Sequence, residues 1–387
     1  MRPDFEIRTL GEIALLKMGG TPSTSDDTYW EAGDVLWATP GDLGRGEVLC
    51  VHDTARKITA AGLASRNTAL FPAGTVLLST TATIGNVGLA TRPLYCNQQI
   101  TAIIPDKCVL PEYLAYWFLR SKYELMRLGG TSTATHINQK NLATLRIPIP
   151  SLPEQSRIVD LLLRAEGIVR LRKEAQEKAA ELIPAIFVDL FGDPNHNPQG
   201  LPSARVEDLC DLVRGSSPRP QGDARFFGGP VPRLMIADIT RDGTYVTPRI
   251  DSLTIEGATK SRPMNAGDVV MAVSGAVGLP AILVVDSCIH DGFVGFRALN
   301  SKVTPAFFYN YLVAIRSRSS RQAVGATFQN LNTAQIRAWS VPIPSMNSQA
   351  VFQQRVDLVN GIHIQQRAAA ARASDAFNGL LAKSFSN

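Results

Sequence analysis

Hydrophobic and polar positions along this 387-residue chain change rhythm several times. Short apolar runs bounded by glycine and proline, such as "DVLWAT" (Asp34 to Thr39), "GTVLLST" (Gly74 to Thr80) and "ITAIIP" (Ile100 to Pro105), predict strands in the first 150 residues. A helical period follows in "PEYLAYWFLRSKYELMRL" (Pro111 to Leu128), with proline in a first-turn position. At "LRIPIPSLPEQSRIVDLL" (Leu145 to Leu162) alternation gives way to a proline-rich junction and then to helical spacing. Ser151 and Glu154 form a capping-box signature, and Pro153 sits in the first turn, where its missing N–H costs little. A seam of period 3.5 then runs through Ile158, Leu161, Ala165, Ile168, Arg172, Ala175, Ala179, Leu182 and Ile186, a pattern that asks for a partner helix. Pro184 predicts a kink or termination near Ala180, and "FGDPNHNPQGLPS" (Phe191 to Ser203) reads as a linker.

The same order then returns. "LGEIALLKMGGTPS" from Leu10 aligns with "VEDLCDLVRGSSPR" from Val206, pairing Gly19 with Gly215 and Pro22 with Pro218 at an offset of 196. "FPAGTVLLSTTATIG" from Phe71 aligns with "MNAGDVVMAVSGAVG" from Met264, pairing Gly74 with Gly267 at an offset of 193. "THIN" at Thr135 meets "QNLN" at Gln329, the helix from Pro111 meets one from Pro305 to Val324, and "IPIPS" at Ile147 meets "VPIPS" at Val341. A second seam, Phe352, Val356, Val359, Ile362, Gln366, Ala369, Ala373, Phe377 and Leu380, offers the first a partner, the alternative being that each helix packs on its own globular domain. The expected fold is α+β, two similar globular domains alternating with two long helices. The boundaries are a first domain at 1–150, a central helix at 151–191, a linker at 192–203, a second domain at 204–344 and a C-terminal helix at 345–387.

Composition narrows the class. With 45% hydrophobic and 19% charged residues the chain is globular, and no apolar run is long enough to span a membrane. The start carries no secretory pattern, so a soluble protein is expected. Cys50, Cys96, Cys108, Cys210 and Cys288 are scattered and odd in number, which suits a reducing cytoplasm. A net charge of +5 mildly favours a polyanionic partner. Catalytic signatures are sparse: there is no phosphate loop, no dinucleotide fingerprint and no Asn/Asp-Pro-Pro-aromatic motif of amino-methyltransferases. His52, His136, His196, His290 and His363 are dispersed, without metal-ligand spacing.

The polar residues with promise lie in loops. In the first copy they are Lys17, Thr21, Ser23, Thr24, Arg45, Lys57, Thr81, Thr83, Asn97, Gln98, Thr133, His136 and Lys140; in the second, Arg214, Ser217, Arg219, Arg225, Arg241, Arg262 and Ser274. Hydroxyls, amides and cations of this kind bond phosphates and base edges, although solvated turns share the same composition.

Taken together, "LGEI…GGTPS", "DVLWATPGDL", "GTVLLSTTATIG", "CNQQI", "IPIPSLPEQSRIV" and "LFGDPNHNPQG" resemble the DNA specificity subunits of Type I restriction-modification systems, over essentially the whole chain. The resemblance implies two target recognition domains, each reading half of a split double-stranded DNA sequence, and two helices paired as an antiparallel coiled-coil spacer. It implies a non-catalytic cytoplasmic subunit that binds two copies of a methylation subunit, with a separate translocating nuclease completing the restriction complex. S-adenosylmethionine, ATP and Mg would then reside on partner subunits, with no cofactor or metal here. Partner contacts are expected at the junctions, through Glu154, Gln155, Arg157, Ile158 and Gln349; "SMNSQAVF" departs from "SLPEQSRI" and leaves only Gln349 to match Gln155. Two other classes stay open at this point: a stand-alone DNA methyltransferase with its own recognition domains, and a protein-only coiled-coil scaffold.

Overall fold

The computed structural model describes residues 5–66, 70–129, 136–194, 196–321 and 332–385. They form two compact units, residues 1–174 with 368–387, and residues 175–367.

In the first unit a five-stranded sheet runs in the spatial order Ala14–Met18, Ile100–Pro105, Val76–Ser79, Val87–Ala90, Val48–Val51, antiparallel except for the last pair. Its strands read as unbroken apolar runs because both faces are covered. Val76 and Leu78 point into a core closed by the helix Pro111–Arg120, whose residues from Tyr113 to Leu119 are all buried, while Leu77 points into a second core with Trp37, Ala90, Ile100 and Ala102. A small sheet of Val35–Ala38 between Lys57–Ile58 and Tyr95–Cys96 covers that second face. The helical run from Pro111 breaks at Ser121 and resumes as Lys122–Leu128.

The second unit repeats this plan. Its five strands lie in the order Asp211–Arg214, Phe293–Arg297, Val269–Ala272, Pro280–Leu283, Tyr245–Val246, again with only the last pair parallel. Val269 and Met271 face one core, Val270 and Ala272 the other. The first of these cores gathers Phe187, Phe191, Phe307 and Phe352, whose rings meet at centroid distances of 5.1–5.6 Å.

Both proline-rich junctions are locked by the same device. Gln155 is fully buried; its Oε1 accepts from Leu110 N–H at 2.8 Å and its Nε2 donates to the Cys108 and Pro150 carbonyls, both at 2.9 Å. Gln349 repeats the three bonds with Thr304 N–H at 2.9 Å, the Lys302 carbonyl at 2.8 Å and the Pro344 carbonyl at 3.0 Å. Each carboxamide ties the loop before one helix to the junction at the start of the next.

The central helix spans Leu152–Ala180 and resumes as Leu182–Phe191, the break falling where Pro184 has no N–H to offer the Ala180 carbonyl. The C-terminal helix, Met346–Ser384, has no internal proline and is continuous over 39 residues. The seam expected from a 3.5-residue period needs correction. Ile158, Val159 and Leu162 are buried, with Ala165 and Val169 packed beside them, whereas Leu161, Ile168 and Leu182 are 38%, 54% and 42% exposed. In the first unit the buried stripe follows the true helical period of about 3.6, because this helix packs against its own globular core as well as against Phe377, Leu381 and Phe385 of the other helix. Glu166 lies on that inner face, accepting from Tyr116 Oη at 2.5 Å and from Val48 N–H at 3.1 Å.

Two outcomes follow from this packing. Gln155→Ala or Gln349→Ala strands one N–H and two carbonyls, and at about 1–3 kcal/mol for a buried group left unpaired the unfolding midpoint should fall by several degrees. Gln155→Glu, which turns a carboxylate toward two carbonyls, should be no better; an unchanged midpoint in calorimetry would contradict the clamp. Burial pushes the Glu166 carboxyl above its ordinary value, so the folded chain holds that proton more tightly than the unfolded chain does. Stability from this group is therefore lost as pH rises from about 4.5 through the folded value. Glu166→Gln, which can still accept from Val48 and donate to Tyr116, should flatten that slope in melts taken across the acid range.

Candidate nucleic-acid interface

Four polar loops of the first unit are joined edge to edge. Gly20 N–H donates to the Cys96 carbonyl at 2.8 Å, Thr80 N–H to the Gln99 carbonyl at 2.9 Å, and Ile137 N–H to the Thr80 carbonyl at 2.9 Å. Side chains reinforce the chain of contacts. The Thr21 hydroxyl donates to Gln98 Oε1, and Thr81 Oγ1 lies 2.8 Å from His136 Nδ1. Only glycine permits the first crossing, since a Cβ on Gly19 would lie 2.2 Å from the Cys96 carbonyl oxygen. The loops thus present one continuous polar surface on which Ser23, Thr24, Thr83, Gln98, His136 and Lys140 are exposed, with Lys17 exposed on the adjoining strand.

Cations flank this surface. Arg45 and Lys122 line a groove of about 540 Å³ together with Thr83, Asn86, Ile84 and Met126. Neither makes an ion pair among the described residues. Arg56 lies over Trp30 and Trp37, its guanidinium carbon 3.9 Å and 5.3 Å from the ring centroids. Lys122 and Arg56 escaped the sequence reading. Lys122 sits within what reads as one helix, and its nearness to the 82–86 loop arises only across the fold; Arg56 adjoins the expected Lys57.

Several expected residues play other parts. Asn97 is buried and its amide is held within its own turn by Gln99, so it shapes the loop rather than reaching outward. Lys57 is paired with Asp53 at 3.1 Å. Thr133 lies outside the described residues.

In the second unit Gly215 makes the equivalent crossing, where a Cβ would lie 1.9 Å from the His290 carbonyl oxygen. Ser216 N–H donates to the Ile289 carbonyl at 3.1 Å and Val273 N–H to the Gly292 carbonyl at 2.8 Å, which places exposed Ser274 beside the 289–292 turn. The Ser217 hydroxyl donates to Asp291 Oδ1 at 2.7 Å and accepts from Arg233 Nη2 at 2.9 Å. Arg214 is exposed and donates to the Asp291 carbonyl, Arg262 donates to the Arg214 carbonyl, and Arg219 is exposed nearby. Arg225 and Arg241 are poorer phosphate ligands than their type promises. Arg225 grips Asp223, holding that carboxyl down at about 2. Arg241 grips Asp242, also held at about 2, and Asp238. Asp291 and Arg233 were not anticipated, because an acidic residue and a strand arginine carry no groove signal by themselves.

The expected partner contacts also need correction. Gln155, Gln349 and Ile158 are buried and bonded or packed internally, leaving them nothing to offer a partner surface. Glu154 and Arg157 are accessible and paired with each other at 2.6 Å. What each unit does expose is apolar helix surface, Leu161, Ile168 and Leu171 in the first and Val351, Leu358 and Ile364 in the second. Among the described residues no group of His, Cys, Asp and Glu is arranged to hold a metal, and no helix is long and apolar enough to cross a membrane.

Comparison with known proteins agrees with this architecture. The model of the Type I restriction modification DNA specificity domain matches residues 3–181 and again 200–365. The MjaIX specificity subunit of a type I restriction enzyme from Methanocaldococcus jannaschii is 30% identical over 256 residues, 62% of this chain and 59% of that one. The EcoR124I/EcoR124II specificity subunit from Escherichia coli is 30% identical over 186 residues, 46% of this chain and 45% of its own. The matched segments therefore span about half to three-fifths of these curated relatives. Among solved structures, a chain from a study of complex assembly and conformational transition of the type I R-M system aligns with a TM-score of 0.69 at 19% identity, covering 100% of this chain and 98% of that one. The S subunit of a Type I system from M. genitalium aligns at 0.53 and 14% identity, covering 100% and 98%. These two likenesses concern the fold. With two matches that together take in most of its length, the chain belongs to the Type I restriction modification DNA specificity family.

Proposed function

We propose that this chain is the sequence-reading subunit of a Type I restriction-modification complex, each unit binding one half of a bipartite double-stranded DNA target and directing adenine methylation by partner subunits. The observation that carries this reading is the polar loop surface built twice on one backbone plan, with different side chains at matching places. Reading two different half-sites calls for that combination, since phosphate contacts fix register while base-edge contacts vary. On this reading the chemistry belongs to two bound methylation subunits carrying S-adenosylmethionine, and to a nuclease subunit using ATP and Mg. The exposed apolar faces of the two helices supply docking surface for the methylation subunits.

Adenine methylation mapped by single-molecule sequencing in the host, with and without the gene, should reveal a split motif that depends on this chain. Replacing residues 19–141 with the matching region of a relative should change one half of that motif and leave the other intact. Two halves changing together would contradict separate readers. For assembly, Ile168→Asp with Leu171→Asp should leave the unfolding midpoint nearly unchanged, since both side chains already face solvent, yet reduce the bound methylation subunits from two to one by light scattering. Full stoichiometry in that variant would move the docking site elsewhere.

A further inference from the structure

The repeat allows the two loop surfaces to be compared residue by residue. Gly19 N–H donates to the Ile100 carbonyl at 3.3 Å and Gly20 N–H to the Cys96 carbonyl at 2.8 Å; Gly215 N–H donates to the Phe293 carbonyl at 3.0 Å and Ser216 N–H to the Ile289 carbonyl at 3.1 Å. These matched pairs set Thr21 against Gln98 in one unit and Ser217 against Asp291 in the other. Both pairs are joined side chain to side chain, the hydroxyl donating to Gln98 Oε1 in the first case and to Asp291 Oδ1 in the second. Gln98 and Asp291 are both exposed at the tip of the turn that meets the glycine loop.

The groups behind the two tips differ as the tips do. Ala38 pairs with Cys96 and Leu234 with Ile289, so Trp37 and Arg233 occupy matching places. Trp37 donates its indole N–H to the Gly20 carbonyl at 3.0 Å. Arg233, buried, donates to Ser217 Oγ at 2.9 Å and pairs with Asp251 at 2.5 Å. A neutral indole holds the loop that carries Thr21, and a guanidinium holds the Ser217 hydroxyl itself. Because Ser217 accepts from Arg233, its own proton is directed to Asp291.

We propose, resting on the DNA-recognition reading, that Gln98 and Asp291 are equivalent specificity-determining positions with opposite hydrogen-bond signatures. Braced through one lone pair of its carbonyl, Gln98 still presents an acceptor and an NH2 donor side by side, the pattern that meets N6 and N7 of adenine in the major groove. Asp291, with Oδ1 held by Ser217, presents Oδ2 as an acceptor alone, which suits the N4 amino group of cytosine and repels the acceptor-rich edge of guanine. The Ser217 bond holds the Asp291 carboxyl below its ordinary value, so it stays ionised at neutral pH.

Isosteric exchange tests this in the intact complex. Gln98→Glu should shift one position of the first unit's half-site from adenine toward cytosine, by about tenfold in discrimination for a lost bidentate pair, with the other half unchanged. Asp291→Asn should shift one position of the second half-site from cytosine toward adenine. Thr21→Val, which keeps the reading group and removes its brace, should relax preference at the same base that Gln98→Glu alters. Methylation mapping reads all three; where a variant abolishes methylation, selection of duplexes from a random library by the purified complex reads the preference directly. Variants that keep the wild-type motif in either measurement overturn the assignment, as does a change in both halves. A wild-type chain that supports no split methylation motif would instead refute the underlying reading.

Discussion

A single neutral carboxamide at the foot of each long helix holds the architecture together. The junctions "IPIPS" and "VPIPS" are rich in proline, which supplies carbonyls but no N–H. The loop ahead of the preceding helix supplies an N–H and a carbonyl that the strands leave over. Only a side chain that donates twice and accepts once can satisfy that set from inside the core, and glutamine does so where glutamate or leucine cannot. The rest of the junction was free to diverge. "SLPEQSRI" and "SMNSQAVF" keep the serine and the glutamine and little else, yet the three bonds recur within about 0.1 Å of each other.

Order along the chain was readable from residues alone: the repeat, the apolar strands, the helix break at Pro184 and the loop residues that carry polarity. Facing was harder. The expected seam and the buried stripe share Ile158 and Ala165 but part at Leu161 and Ile168, where Leu162 and Val169 face the core instead, because a helix packed on a globular core as well as on a second helix keeps the 3.6-residue period rather than 3.5. Charge was harder still. Arg225, Arg241 and Lys57 have the residue type of a phosphate ligand, but which of the nearby acids takes up their charge is decided by the fold, and Asp223, Asp242 and Asp53, all within four residues in the chain, do so. Gln155 and Gln349 look like surface polar residues because glutamine usually is one. Lys122 and Arg233 gained their places from contacts across the fold that no local pattern records.

Fixed backbone and variable surface divide cleanly within each unit. Gly19 and Gly215 are confined by a backbone crossing too close for any Cβ, whereas on the turn they cross the side chains change type, Gln98 in one unit and Asp291 in the other. Divergence is concentrated where it alters hydrogen-bond pattern without moving the backbone, so the same loop can present an amide in one copy and a carboxylate in the other.

The first unit borrows part of its core from far along the chain. Phe377, Leu381 and Phe385 join a cluster otherwise built from residues 10–162, and the Phe385 ring rests 5.0 Å from Tyr113. The second unit is contiguous, residues 175–367. On a ribosome adding about 5–20 residues per second, those intervening residues take roughly 10–40 s to synthesise. For that interval the earlier unit waits with an apolar face open while the later one assembles from local chain. Translation order and completion order are therefore reversed, and the nascent protein needs shelter for the half that was made first.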